Sequence, residues 1–86
     1  MITIEFFGVP RLRAGTSSVQ LDAVTLASAL RGLGCICPAL RDTVLTGESV
    51  HSAYIVCLNG ERFLTDPATP LDDGDVILVM SADVGG

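Results

Sequence analysis

The sequence predicts an α+β fold in two layers, one main helix packed on one face of a mixed sheet of four to five strands. Three observations predict it. Apolar residues alternate along the first seven positions, then take a helical spacing between Leu26 and Leu33. In the second half they form two continuous runs, Tyr54–Leu58 and Val76–Met80, bounded by turn residues.

Ile2, Ile4 and Phe6 alternate with Thr3, Glu5 and Phe7, the period of a strand with one buried face. Gly8-Val9-Pro10 and Ala14-Gly15 read as the turn of a hairpin whose second strand runs from Ser18 to Asp22. Leu26, Ala29, Leu30 and Leu33 fall on one helical face, Thr25 suits the N-cap, and Gly34 is expected as a left-handed cap. Pro38 opens a short helical turn through Arg41, and Thr46-Gly47-Glu48-Ser49 reads as an exposed loop. Tyr54–Leu58 is a strand closed by the turn pair Asn59-Gly60, and Phe63-Leu64 is a shorter one. Asp73-Gly74-Asp75 is a sharp turn into Val76–Met80, expected as a central strand buried on both faces.

The 86 residues make one expected domain, 1–86, with 81–86 as a tail. A chain of this length buries only about 60% of the surface its unfolded form exposes. So small a core favours a binding module or carrier over an enzyme with a deep pocket. Hydrophobic residues are 49% of the chain, yet charged side chains interrupt every stretch. No run approaches the ~20 residues of a membrane span, and Met1-Ile2-Thr3-Ile4 lacks the basic start of a signal peptide. The expected location is the cytoplasm, with no membrane partner. The surplus apolar content implies an exposed hydrophobic surface for a partner.

Charge is divided unequally. Residues 1–41 hold Glu5 and Asp22 against four arginines, for +2; residues 42–86 hold eight acids against Arg62, for −7. The acidic half repels phosphate and excludes nucleic acid as a partner; it suits a basic groove on a protein. The chain has no lysine, so no side-chain amine is present for Schiff-base chemistry or isopeptide bonds. Cys35, Cys37 and Cys57 are too few for a structural zinc site and read as free thiols; no metal is expected. His51 beside Ser49 and Ser52 lacks any nucleophile motif and reads as a solvated loop residue. Asp72, Asp73 and Asp75 lack the loop length of a calcium site and read as turn residues.

Four segments together resemble the MoaD/ThiS family of sulfur-carrier proteins. They are Met1-Ile2-Thr3-Ile4-Glu5-Phe6-Phe7-Gly8, Val24-Thr25-Leu26 with Ala29-Leu30, Asn59-Gly60-Glu61, and Thr69-Pro70-Leu71-Asp72-Asp73-Gly74-Asp75-Val76 followed by a strand and Gly85-Gly86. The resemblance covers the whole chain and implies the ubiquitin-like β-grasp fold. A ferredoxin-type β-grasp has the same order of elements but needs four cysteines for its cluster.

The resemblance further implies a carrier rather than an enzyme. An adenylating, MoeB/ThiF-like partner would convert the Gly86 carboxylate to an acyl-adenylate with ATP and magnesium. A sulfur donor would replace the AMP to leave a thiocarboxylate, and an acceptor enzyme, such as the large subunit of molybdopterin synthase, would take the sulfur. This chain would itself bind no cofactor. Molybdopterin-pathway members typically carry a proline pair before the tail, where this chain has Ser81-Ala82-Asp83-Val84. Thiamin carriers are usually shorter over 35–53. The first difference counts against a molybdopterin carrier and the second against a thiamin one; molybdopterin-type is still the first expected acceptor pathway, with thiamin, cysteine or another sulfur metabolite open. A ubiquitin-like modifier joined to targets through Gly86 uses the same activation and is the alternative; a non-covalent β-grasp adaptor is a third.

The residue types suit that chemistry. An α-carboxylate, with a pKa of about 3.5, is ionised at neutral pH and needs cations from the partner to approach ATP. The adenylate must be shielded from water, and Gly85 and Gly86, following Val84, pass a narrow channel that a Cβ would block. Six residues from Ser81 reach at most ~20 Å. The family's docking face implies Phe7, Phe63 and Met80 as partner-binding residues, Phe7 from the outward register of the first strand. For Phe63 and Met80 a place in the core remains equally open.

Overall fold

The computed structural model describes residues 1–82. In chain order the elements are β1 (Ile2–Phe6), α1 (Val9–Ala14), β2 (Ser18–Leu21), α2 (Leu26–Ile36), β3 (Leu45–Thr46), β4 (Ser49–Val50), β5 (Tyr54–Leu58), β6 (Arg62–Leu64) and β7 (Val76–Ser81), with a 3₁₀ turn at Pro38–Leu40. Five strands form a sheet in the order β2-β1-β7-β5-β6. β1 and β7 run parallel at its middle and the other pairs are antiparallel, so the sheet is mixed. With α2 packed on one face this is the β-grasp.

The alternation in β1 does what its period predicts. Ile2, Ile4 and Phe6 are buried and meet Val56, Ile77, Val79 and the Leu26, Ala29, Leu30 and Leu33 face of α2 in one core. Thr25 is the N-cap of α2. Its Oγ1 accepts from the Ser28 N–H at 3.2 Å, and its own N–H donates to Ser28 Oγ at 3.1 Å, so two orphan donors of the first turn are satisfied.

Four expectations are corrected. Helix α2 does not stop at Gly34; it runs to Ile36, and the Cys37 N–H donates to the Leu33 carbonyl at 2.8 Å. Pro38 ends it, because its ring keeps the preceding Cys37 out of helical geometry (φ −121°, ψ 77°). The hairpin turn expected after β1 is instead the short helix α1. Pro10 supplies the helical φ near its start, and Gly15 caps it in the left-handed region (φ 74°), donating to the Arg11 carbonyl at 3.1 Å. The loop at 46–49 is a tight hairpin between β3 and β4, turning at Gly47. Its Leu45 is buried against the side of α2 at Gly34, so this small second sheet closes the far end of the core.

The fourth correction concerns β7. Ile77 and Val79 are fully buried, but Val76, Leu78 and Met80 are only half-buried. A helix covers one face of this central strand and no described element covers the other. An unbroken apolar run therefore conceals a period of two.

Where β7 begins, the turn predicted at Asp73-Gly74-Asp75 is held by its own acids. Asp75 accepts from the Asp72 N–H at 2.8 Å and from the Asn59 side-chain amide at 3.0 Å. Asn59 in turn accepts from the Val76 N–H at 2.8 Å, tying the β5–β6 turn to β7. The Asp72 N–H, then the Asn59 amide, hold the Asp75 carboxyl below its ordinary 3.8; a hydrogen bond from the Met1 ammonium does the same for Asp73. A lowered folded-state value adds stability above the unfolded value, and that stability is lost as the pH falls through the folded value. Urea melts from pH 7 to pH 3 are therefore expected to show a midpoint that drops below about pH 4. Asp75→Asn is expected to have a lower midpoint at pH 7 and a shallower fall into acid.

Candidate functional site

β7 carries the chain to the end of the sheet beside the start of β5. Ser81 pairs with Tyr54, and the Ala82 N–H donates to the Ala53 carbonyl at 2.8 Å, which fixes the root of the tail. The expected chemical residue Gly86, with Gly85 and Val84, lies outside the described residues.

The uncovered face of the sheet leads to that root. The register places Leu78 opposite Cys57, Cys57 opposite Phe63, and Met80 opposite Ile55. Phe7 follows β1 in the same alternation, its N–H donating to the Val79 carbonyl at 3.0 Å beside Met80. Phe7 is 52% exposed and Phe63 is 66% exposed, while Met80, Ile55 and Leu78 are half-buried. The structure thus brings Phe7, Phe63 and Met80 onto one apolar face and removes Phe63 and Met80 from the core. Cys57 is buried on this outer side, apart from the helix-covered core. Sequence reasoning missed Ile55 and Leu78. The only signal was their alternation with Val56, Ile77 and Val79, invisible in a wholly apolar run.

The described residues of this face offer contact area for a partner. Around the edge of β6, a groove of about 240 Å³ lies between α2, β4, β5 and β6, lined in part by Leu26, Leu30, Tyr54, Ile55, Phe63 and Pro67. His51 at its rim accepts the Ala53 N–H on Nδ1 at 3.2 Å and meets Tyr54 edge-on, 6.3 Å between ring centres. It serves the turn before β5 and faces no nucleophile partner. Cys35 is exposed, Cys37 and Cys57 are buried, and all three are free thiols. Burial pushes the Cys37 thiol up, away from the reactive thiolate. Among the described residues no group of three or more His, Cys, Asp or Glu is placed to hold a metal ion. No helix among them is long and apolar enough to cross a membrane.

No family model matches the sequence, and no curated protein sequence matches it. Solved structures do. The HVO 2177 protein of Haloferax volcanii is 30% identical, with 99% of this chain and 85% of that one covered, at a TM-score of 0.73. Urm1 from Trypanosoma brucei is 27% identical over 99% of this chain and 94% of that one, at 0.74. The chain belongs to the ubiquitin-like MoaD/ThiS family. SAMP1 from Haloferax volcanii shares the β-grasp at a TM-score of 0.82 over 99% of this chain and 98% of that one, with 24% identity.

Within the frame of a MoaD/ThiS protein, the described features sort by position. The acidic turn at 72–75 lies at the end of β7 away from the tail and serves the fold. The apolar face and the Ala53–Ala82 hydrogen bond lie at the tail end. α1 follows β1 at this end and packs against β7 and the 3₁₀ turn at Pro38–Leu40, with Leu12 81% exposed between Arg11 and Arg13.

Proposed function

We propose that this protein is a sulfur carrier that works through the carboxylate of Gly86. The observation that supports this reading is the apolar sheet face that leads to the end of β7, four residues before Gly85-Gly86 in the sequence, with no catalytic constellation among the described residues. A partner enzyme docks on that face and draws the tail into a closed site. There a carboxylate oxygen attacks the α-phosphorus of magnesium-bound ATP and displaces pyrophosphate, giving an acyl-adenylate. A persulfide sulfur then attacks the acyl carbon and expels AMP. A second thiol cleaves the resulting acyl disulfide, becoming oxidised to a disulfide itself and leaving the thiocarboxylate. An acceptor enzyme, molybdopterin-type first, takes the sulfur. The chain needs no cofactor of its own, and ATP chemistry of this kind suits the cytoplasm.

The second reading is a modifier joined to target amines through Gly86. Its support is the shared fold with SAMP1, a small archaeal modifier protein. One experiment separates the two. The protein is incubated with ATP, magnesium, its adenylating enzyme and a persulfide donor, and then examined by intact mass and tail-fragment spectra. The expected result is one oxygen replaced by sulfur in the C-terminal fragment, absent when Gly86 is deleted. Sulfur on Cys35, Cys37 or Cys57 would make the protein a persulfide carrier and overturn the proposal. Lysine-linked adducts on other proteins without sulfur would establish the modifier.

A further inference from the structure

The uncovered face of the sheet is uncharged except at one place. The five strands put Thr3, Glu5, Ser18, Gln20, Phe63 and the outward residues of β5 and β7 on it, and of these Glu5 alone is charged. Glu5 sits between Ser18 on β2 and Leu78 on β7, in a row that continues through Cys57 to Phe63. With strands about 4.8 Å apart, Phe63 lies some three spacings, about 14 Å, from the carboxylate along this row. Glu5 is exposed and takes part in none of the ion pairs among the described residues; those use Asp22, Asp73 and Glu48. Neither the fold nor the strand calls for a glutamate there. The core is packed by Ile4 and Phe6 on either side, and glutamate is a poor strand former.

We propose that Glu5 determines which partner this face accepts, by pairing with an arginine or lysine that the adenylating enzyme places against it. The inference rests on the proposed function. In the free protein the carboxylate is hydrated at no cost. Once an apolar partner covers the face, Glu5 loses that water, and an uncompensated charge is expensive. A cation in the partner restores the balance, arginine best because its planar fork binds both carboxylate oxygens. A partner surface that is purely apolar or acidic is thereby rejected, a repulsive device that raises specificity. A second copy of this chain is rejected too, since its matching face carries no cation to meet Glu5.

The test is ATP–pyrophosphate exchange by the adenylating enzyme, with the full chain as the varied substrate. Glu5→Lys is expected to raise KM at least about thirtyfold and Glu5→Gln about tenfold, with kcat unchanged in both. Glu5→Asp should retain most of the wild-type KM. Asp72→Lys, the same change of charge at the opposite end of β7, should stay within about twofold. Thermal melts of all four variants establish that they are folded. An unchanged KM for Glu5→Lys, or an equal rise for Asp72→Lys, overturns the proposal and leaves the carrier reading standing. Failure of the wild-type chain to support any exchange overturns the carrier reading and this inference with it.

Discussion

Deleting Gly86, or adding one alanine after it, is expected to abolish ATP-dependent activation while leaving the thermal midpoint unchanged. Adenylation requires a carboxylate oxygen in line with the α-phosphorus, and a misplacement of about 1 Å already costs on the order of a hundredfold. One residue more or less moves the carboxylate by ~3.5 Å along an extended tail. The alanine also brings a Cβ into a passage that suits glycine. The fold is spared because the core residues among those described lie between Ile2 and Val79. Pyrophosphate exchange measures the loss and a circular-dichroism melt measures the fold. Normal exchange by the extended protein would show that the chemistry does not take place at Gly86.

Phe63→Asp is expected to weaken binding to the adenylating enzyme by about 2 kcal/mol or more, the scale of an aromatic anchor at an interface. That is a rise in KM of roughly thirtyfold without loss of kcat. Phe63 is 66% exposed on the edge strand β6, so the substitution removes no core contact. Phe7→Asp, at 52% exposed beside the tail root, should act in the same direction. Titration calorimetry reads the affinity, and the melt of each variant checks the fold. Full affinity in both would move the docking site off this face. Unfolding of either would mean that the residue belongs to the core.

Much of this protein could be read from local rules because those rules act within a few residues. Ile2, Ile4 and Phe6 needed only the pleat to declare their buried face. The turn pair Asn59-Gly60 has positive φ at both positions, 53° and 68°, which few dipeptides tolerate. Thr25 could cap α2 from sequence because its partner, Ser28, is three residues away. Where local signals competed, the reading erred. Gly34 looked like a helix end, yet Pro38 imposes a harder steric limit four residues later. Gly8, Pro10 and Gly15 are turn residues and helix-boundary residues alike, and only packing of α1 beside β7 favours the helix.

The candidate site divides along the same line. Local patterning alone predicted the two-layer α+β order, and the resemblance of four short segments, Gly85-Gly86 among them, to the MoaD/ThiS family implied the β-grasp. Those are properties of neighbours along the chain. Which side of Tyr54–Leu58 and Val76–Met80 faces a partner was decided only by tertiary structure. Both runs are apolar at every position, so no periodicity marks an outer face; α2 marks it by covering the other one. The same packing took Phe63 out of the core and joined it through Cys57 and Leu78 to Glu5, residues 58 positions apart in sequence that share one row of the sheet because β1, β7, β5 and β6 lie side by side.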